Sequence, residues 1–287
     1  MSGIVRLINS FVENGQGGNP AGVVLDADSL DENAMQAIAS QAGLSEVAFV
    51  SKSDIATVKL DFFTPNKRIA HCGHATVAAF SVMAQQGLLE NGNYTKETVD
   101  GIRHIRIEGD EAYLEQKKVS SIELPAEHYS GVSEALGIPF TSFTRSAPPA
   151  LINNGVGWLV IILETREELA QLTPNHSLIR HLSVELDLIG FYVVCRETQV
   201  PGRTLSARMF APSYGIDEES ATGMGAGCAA IYLHDFLQCP DQQVLVEQGH
   251  LMHPASPSLL KVELEFNDGD IERLWVGGAA ATLEGEQ

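Results

Sequence analysis

Phe63-Thr64-Pro65 followed by Cys72-Gly73-His74-Ala75-Thr76 recurs later in the chain as Phe210-Ala211-Pro212 followed by Ser220-Ala221-Thr222-Gly223, and each motif opens a run of small apolar residues. A strand, a loop and a helix stated twice predict two halves built alike and facing each other. The two runs, 77–89 and 226–237, are apolar almost all round rather than along one stripe, the pattern of a helix enclosed by sheet. Neither is long enough to span a membrane. Gly73, Ala75 and Thr76 stand at one helix start, and Thr222, Gly223 and Met224 at the other. Unpaired backbone N–H groups and the positive end of the helix dipole suit such starts to a small anion.

The composition agrees with a globular enzyme of two cores: 287 residues, 44% of them hydrophobic. Lys and Arg total 18 against 37 Asp and Glu, a formal net charge of −19, which repels nucleic acid and anionic membrane surfaces. A small anionic metabolite must therefore be held by local geometry. The four cysteines, Cys72, Cys195, Cys228 and Cys239, form no Cys-x-x-Cys pair, which favours reduced, intracellular thiols. Residues 1–11 carry no long apolar stretch with a cleavage site, so a cytoplasmic protein is expected.

Alternation and turn signals predict strands at 4–11, 21–25, 45–50 and 58–63, with a turn-rich loop at 14–20. A hairpin about Gly109 joins 103–107 to 112–116. Ser29 and Glu32 have capping-box spacing ahead of a helix carrying Ala34, Met35, Ile38, Ala39 and Ala42, which Gly43 stops. A polar stretch at 120–131 reads as the linker. Beyond it, strands are expected at 157–163, 190–196, 205–210, 244–247, 259–266 and 273–276. Many short strands per long helix give an α+β protein of two mostly antiparallel sheets or barrels, each wrapped round a central helix, rather than a Rossmann fold. The halves are assigned as 1–117 with a terminal strand 273–287, and 118–272.

Glu46 is the foremost candidate for chemistry. Strand alternation puts it on the face of Ala48 and Val50, where apolar neighbours would raise its pKa and make it a proton shuttle; a strand-entry carboxylate facing water is the competing interpretation. His74 serves either as a neutral capping residue or in proton transfer or substrate orientation. His71, Cys72, His74, His250 and His253 lack the spacing of a zinc site, and no metal is assigned.

Gly18-Asn19-Pro20-Ala21, Leu44-Ser45-Glu46, Phe63-Thr64-Pro65, Gly73-His74-Ala75-Thr76 and Ala221-Thr222-Gly223 together resemble the phenazine-biosynthesis PhzF-like proteins, nearly end to end. The resemblance implies the diaminopimelate epimerase-like fold, two pseudo-twofold-related domains with the active site in the cleft between them, and no cofactor. It assigns acid/base work to Glu46, with His74 and Glu219 assisting, and places Gly18 and Asn19 beside the substrate with the two helix starts. The implied activity is a cofactor-independent isomerase moving a proton on a small carboxylate-bearing metabolite, in a homodimer, the commonest default for such an enzyme. The family's usual Glu-Asp-Pro-Ala-Thr-Gly-Ser is here Glu218-Glu219-Ser220-Ala221-Thr222-Gly223-Met224, and its Gly-Arg-Pro-Ser is Met252-His253-Pro254-Ala255, so the type member's substrate is not carried over. The epimerase branch uses two cysteines. Cys72 matches the first but Ser220 stands at the second, which disfavours a two-base epimerase or racemase and leaves Cys72 as a small packing residue. A non-catalytic small-anion binder or regulatory protein of the same fold is the remaining alternative.

Overall fold

A computed structural model describes residues 4–282. The chain divides into two compact units: one runs to Glu115 and resumes at Gly277, and the other is Gln116–Val276.

In chain order the first unit contains β1 (Arg6–Ser10), β2 (Asn19–Val24), α1 (Glu32–Ala42), β3 (Val47–Ser51), β4 (Val58–Phe63), β5 (Arg68–Ile69), α2 (Gly73–Gln85), β6 (Gly92–Thr98), β7 (Gly101–Glu108) and β8 (Glu111–Gln116). The second contains β9 (Ser120–Glu123), α3 (Tyr129–Leu136), β10 (Ala150–Asn153), β11 (Gly157–Leu163), α4 (Arg166–Ala170), α5 (His176–Glu185), β12 (Gly190–Cys195), β13 (Leu205–Phe210), α6 (Gly223–Leu237), β14 (Gln243–Gln248) and β15 (Ser258–Asn267). The last strand, β16 (Asp270–Thr282), passes from the second unit into the first. Residues 283–287 of the expected terminal strand lie outside the described residues.

The first unit is a closed barrel in the order β1-β2-β3-β4-β6-β7-β8-β16, and β1 closes it by pairing antiparallel with β16, Ile8 opposite Thr282. The pairs β2–β3 and β4–β6 are parallel. Helix α2 packs against β1, β2, β3 and β7, and every side chain from His74 to Met83 is buried. That environment explains why the run carries no polar stripe. Helix α1 instead lies outside, packing Met35 and Ala39 on Val24, Val47, Phe49 and Phe63.

The second unit orders its strands β9-β10-β11-β12-β13-β14-β15-β16. Leu159, Ile161, Phe191 and Val193 face a core shared with α3 and α5, while Tyr192, on the opposite face of β12, meets the backbone of α6 at Gly225. With both faces covered, β11 and β12 are apolar at successive positions rather than alternate ones.

The structure corrects four expectations. The first central helix opens at Gly73, as its motif indicates, but ends at Gln85 rather than at 89, since Gly87 adopts φ +70°, closed to continued α-helix. Asp31, not Ser29, caps α1: its Oδ1 accepts from the Ala34 N–H at 2.8 Å. The supposed linker at 120–131 is ordered structure, β9 paired with β10 and then the start of α3, because Leu124, 2% exposed, anchors it to the core. Glu46 precedes β3 rather than lying within it, and its carbonyl accepts from the Gly22 N–H at 2.9 Å.

Candidate active site

Helix α2 begins at the end of the loop that follows β5, with Cys72 at its N-cap in extended conformation and no side-chain cap. His74 is the second residue of the helix. Its ring lies 7% exposed between two partners: Nδ1 is 3.5 Å from Cys72 Sγ, and Nε2 is 3.3 Å from Glu46 Oε2. Only an imidazolium offers a proton on both nitrogens, so a ring bridging a carboxylate and a sulfur favours the charged form. Burial alone would depress the His74 pKa. The charge and hydrogen bond of Cys72, followed by those of Glu46, overcome it and hold His74 well above its ordinary 6.5.

Glu46 shows the reciprocal effect. Burial pushes its carboxyl up, as the apolar surroundings suggested, but the hydrogen bond and charge of His74 and a hydrogen bond from Ser45 outweigh that and set it below 4.5. The expectation of a raised pKa is thus corrected: the neighbour that matters is an imidazolium contributed by a helix distant in sequence. Glu46 is partly buried, its side chain 14% exposed, so the water-facing alternative does not hold. The Nε2–Oε2 contact is an ion pair at 3.3 Å, and among the described residues the buried Oε2 takes no second partner, which leaves it acceptor capacity to spare.

Cys72 was expected to be packing alone, yet it completes this cluster. One ligand-type atom each from Glu46, Cys72 and His74 falls within 4.8 Å of the others. A metal ion bound there would have to displace the proton of the His74 ring. Thr76 closes the same turn, its hydroxyl donating to the Cys72 carbonyl at 2.6 Å. Gly73 and Ala75 supply the turn's unencumbered backbone; an added Cβ at Gly73 would meet open space.

Gly18 and Asn19 belong to the β1–β2 hairpin. Gly18 has φ +85°, and a Cβ there would come within 2.6 Å of the Ser10 carbonyl oxygen, so the hairpin itself requires glycine. Asn19 is buried and paired with Ser10, whose hydroxyl donates to its carbonyl at 3.1 Å.

In the second unit the turn before α6 carries a different set. The Thr222 hydroxyl donates to Glu219 Oε2 at 2.7 Å, and Gln248 on β14 donates to the Glu219 carbonyl at 2.7 Å and to Thr222 Oγ1 at 3.1 Å. Gln248 Oε1 in turn accepts from the Tyr192 hydroxyl at 2.9 Å and from the Thr222 N–H at 3.2 Å. The first carbonyls of α6 are also read: Gly223 accepts from Gln116 and Met224 from Asn154. Glu218, beside Glu219, is spent on structure, paired through both oxygens at 2.8 Å with Arg208, which also donates to the Leu169 and Leu172 carbonyls. Gln248 and Tyr192 went unremarked in the sequence, since amide and phenol groups on otherwise apolar strands carry no motif.

The phenazine biosynthesis-like family model matches residues 8–285. This chain belongs to that family. Among its relatives, the uncharacterized isomerase YfhB of Bacillus subtilis is 30% identical over 265 residues, covering 90% of this chain and 89% of its own. A trans-2,3-dihydro-3-hydroxyanthranilate isomerase of Pseudomonas chlororaphis is 28% identical over 285 residues, covering 96% of each. The fold matches the crystal structure of a PhzF-family protein of Bacillus anthracis with a TM-score of 0.88 at 24% identity, over 98% of this chain and 96% of that one. The family is one of isomerases. Among the described residues, no helix is long and apolar enough to cross a membrane.

Proposed function

We propose that this protein is a cofactor-independent isomerase that moves a proton within a small carboxylate-bearing metabolite, with Glu46 as the acid/base residue. The observation that carries the proposal is the buried Glu46–His74–Cys72 cluster, in which a carboxylate with an unfilled acceptor faces a ring favoured as imidazolium. With its pKa below the usual carboxylate range, Glu46 starts ionised at neutral pH and enters the reaction as a base. A proton taken from substrate carbon neutralises Glu46 and leaves the positive charge of His74 free to face the electron-rich substrate that results. Return of the proton to another carbon completes an isomerisation without redox change.

A substrate carboxylate suits the first turn of α2, where Gly73, Ala75 and Thr76 present backbone N–H groups. Glu219 is assigned an auxiliary role in proton handling or orientation, and Thr222, Gly223 and Met224 a role in holding the substrate. The named activity of the Pseudomonas chlororaphis relative makes a cyclic hydroxy amino acid with a carboxylate the first substrate to try.

Incubation in heavy water with a panel of small carboxylates, followed by mass spectrometry, tests the proposal: deuterium should enter at carbon. Glu46→Gln should slow that entry by about 10²–10⁴-fold, the usual size of a general-base contribution, while ligand affinity survives. A protein that binds members of the panel but washes in no deuterium is a binder, and the isomerase proposal is then wrong.

A further inference from the structure

Strand β6 alternates its side chains so that Tyr94, Lys96 and Thr98 share a face, and Lys96 points inward with 0% exposure. A wholly buried lysine is rare unless something specific holds it. Here Nζ lies 2.5 Å from Thr76 Oγ1 and 3.2 Å from His71 Nδ1, and stands 4.9 Å from the centre of the Phe62 ring. The Thr76 hydroxyl has committed its proton to the Cys72 carbonyl, so it accepts from the lysine. The result is a relay from Lys96 through Thr76 to the backbone of Cys72. A second branch ends on His71, the residue before Cys72. Burial, then the charges of Lys96 and Arg103, hold His71 well below its ordinary pKa, so its ring is a neutral acceptor.

We propose that Lys96 is a positioning residue of the Glu46–Cys72–His74 site: from beneath the first turn of α2 it fixes residues 71–76 through Thr76 and His71. The inference deepens the isomerase proposal by adding a residue to the same site, but its test needs no substrate. Burial brings Lys96 down to about 7, with Cys72 and Asp100 favouring its charge and Arg103, opposite it on β7, opposing it. The ammonium is thus part of the site at and below neutral pH and is lost above it.

The test is amide hydrogen exchange at residues 73–76 of the whole protein, followed across about pH 6–8. In the wild type the protection of these amides should fall as pH rises through about 7 and Lys96 loses its proton. In Lys96→Met it should be lower by about tenfold at neutral pH and lose that pH dependence. Thr76→Val keeps the ammonium while breaking the relay, and should lower protection at 73–76 by a similar factor. Unchanged protection in folded Lys96→Met overturns the inference. If that variant does not fold, unchanged exchange at 73–76 in Thr76→Val overturns it instead. Failure of the isomerase proposal would appear only in the deuterium experiment, so the two outcomes are separable.

Discussion

The first turns of α2 and α6 open on similar small residues, yet different groups reach them from the surrounding strands. At α2 the turn is ionic: His74 sits between Glu46 and Cys72, and a buried lysine supports the backbone. At α6 the supports are a neutral amide and a phenol, Gln248 and Tyr192, arranged round Thr222 and a single carboxylate, Glu219. The repeated backbone pattern decides where each turn lies, and side chains from neighbouring strands decide its chemistry. In the proposed reaction the α2 turn moves the proton and the α6 turn supplies orientation.

The comparison breaks first at His74. His74→Gln keeps a donor toward Glu46 but removes the positive charge, and turnover measured by deuterium entry should fall by about 10²-fold or more. Glu219→Gln in the same assay should lose less. If the glutamate variant proved the more damaging, the division of labour between the turns would be reversed. A smaller effect is expected on stability at Gly225, where an added Cβ would lie 2.3 Å from the ring of Tyr192, itself 0% exposed. A ring so enclosed cannot step aside, and Gly225→Ala should cost about 3 kcal/mol in urea unfolding, the upper range for overpacking a core. A loss below about 0.5 kcal/mol would show that α6 is free to shift away from β12.

Much of this architecture is legible in the residues because its signals are local. All-round apolar helices imply enclosure, and Phe-x-Pro ahead of a glycine-bearing turn marks both helix starts. What failed depended on partners distant in sequence. The apolar neighbourhood of Glu46 pointed to a raised pKa, but the direction is set by His74, 28 positions away and brought alongside only by the barrel. Cys72 could be read as packing because its contact with an imidazolium ring is a product of the fold. Lys96 lies on a strand that carries no apolar alternation, since the inward Lys96 and Thr98 are as polar as the outward Asn93, Thr95 and Glu97, and a lysine there reads as a solvated face. The linker at 120–131 looked unstructured through its polar residues, whereas pairing with β10 is a backbone property that composition does not report.

The smallest effect is also the sharpest test of the contrast, because an ionic support must respond to pH where a neutral one does not. Glu46 has a folded pKa below its unfolded value, so its contribution is present above the ordinary 4.5 and is lost as pH falls through the folded value. His74 has a folded pKa above its unfolded value, so its contribution is complete below 6.5 and is lost as pH rises through the folded value. Relative to His74→Gln, the wild-type protein should therefore hold its greatest advantage in thermal midpoint between about pH 4.5 and 6.5, with the difference shrinking on both sides. Lys96, at about 7, stays largely protonated across that window. Gln248→Leu, which leaves the Tyr192 hydroxyl and the Thr222 N–H without their acceptor, should cost about 1–3 kcal/mol. No ionised side chain takes part in those two bonds, so this loss should stay flat across the same pH range. A flat His74→Gln difference would mean that no imidazolium–carboxylate pair exists in the folded protein, and a curved Gln248→Leu difference would mean that Glu219 titrates through the amide network.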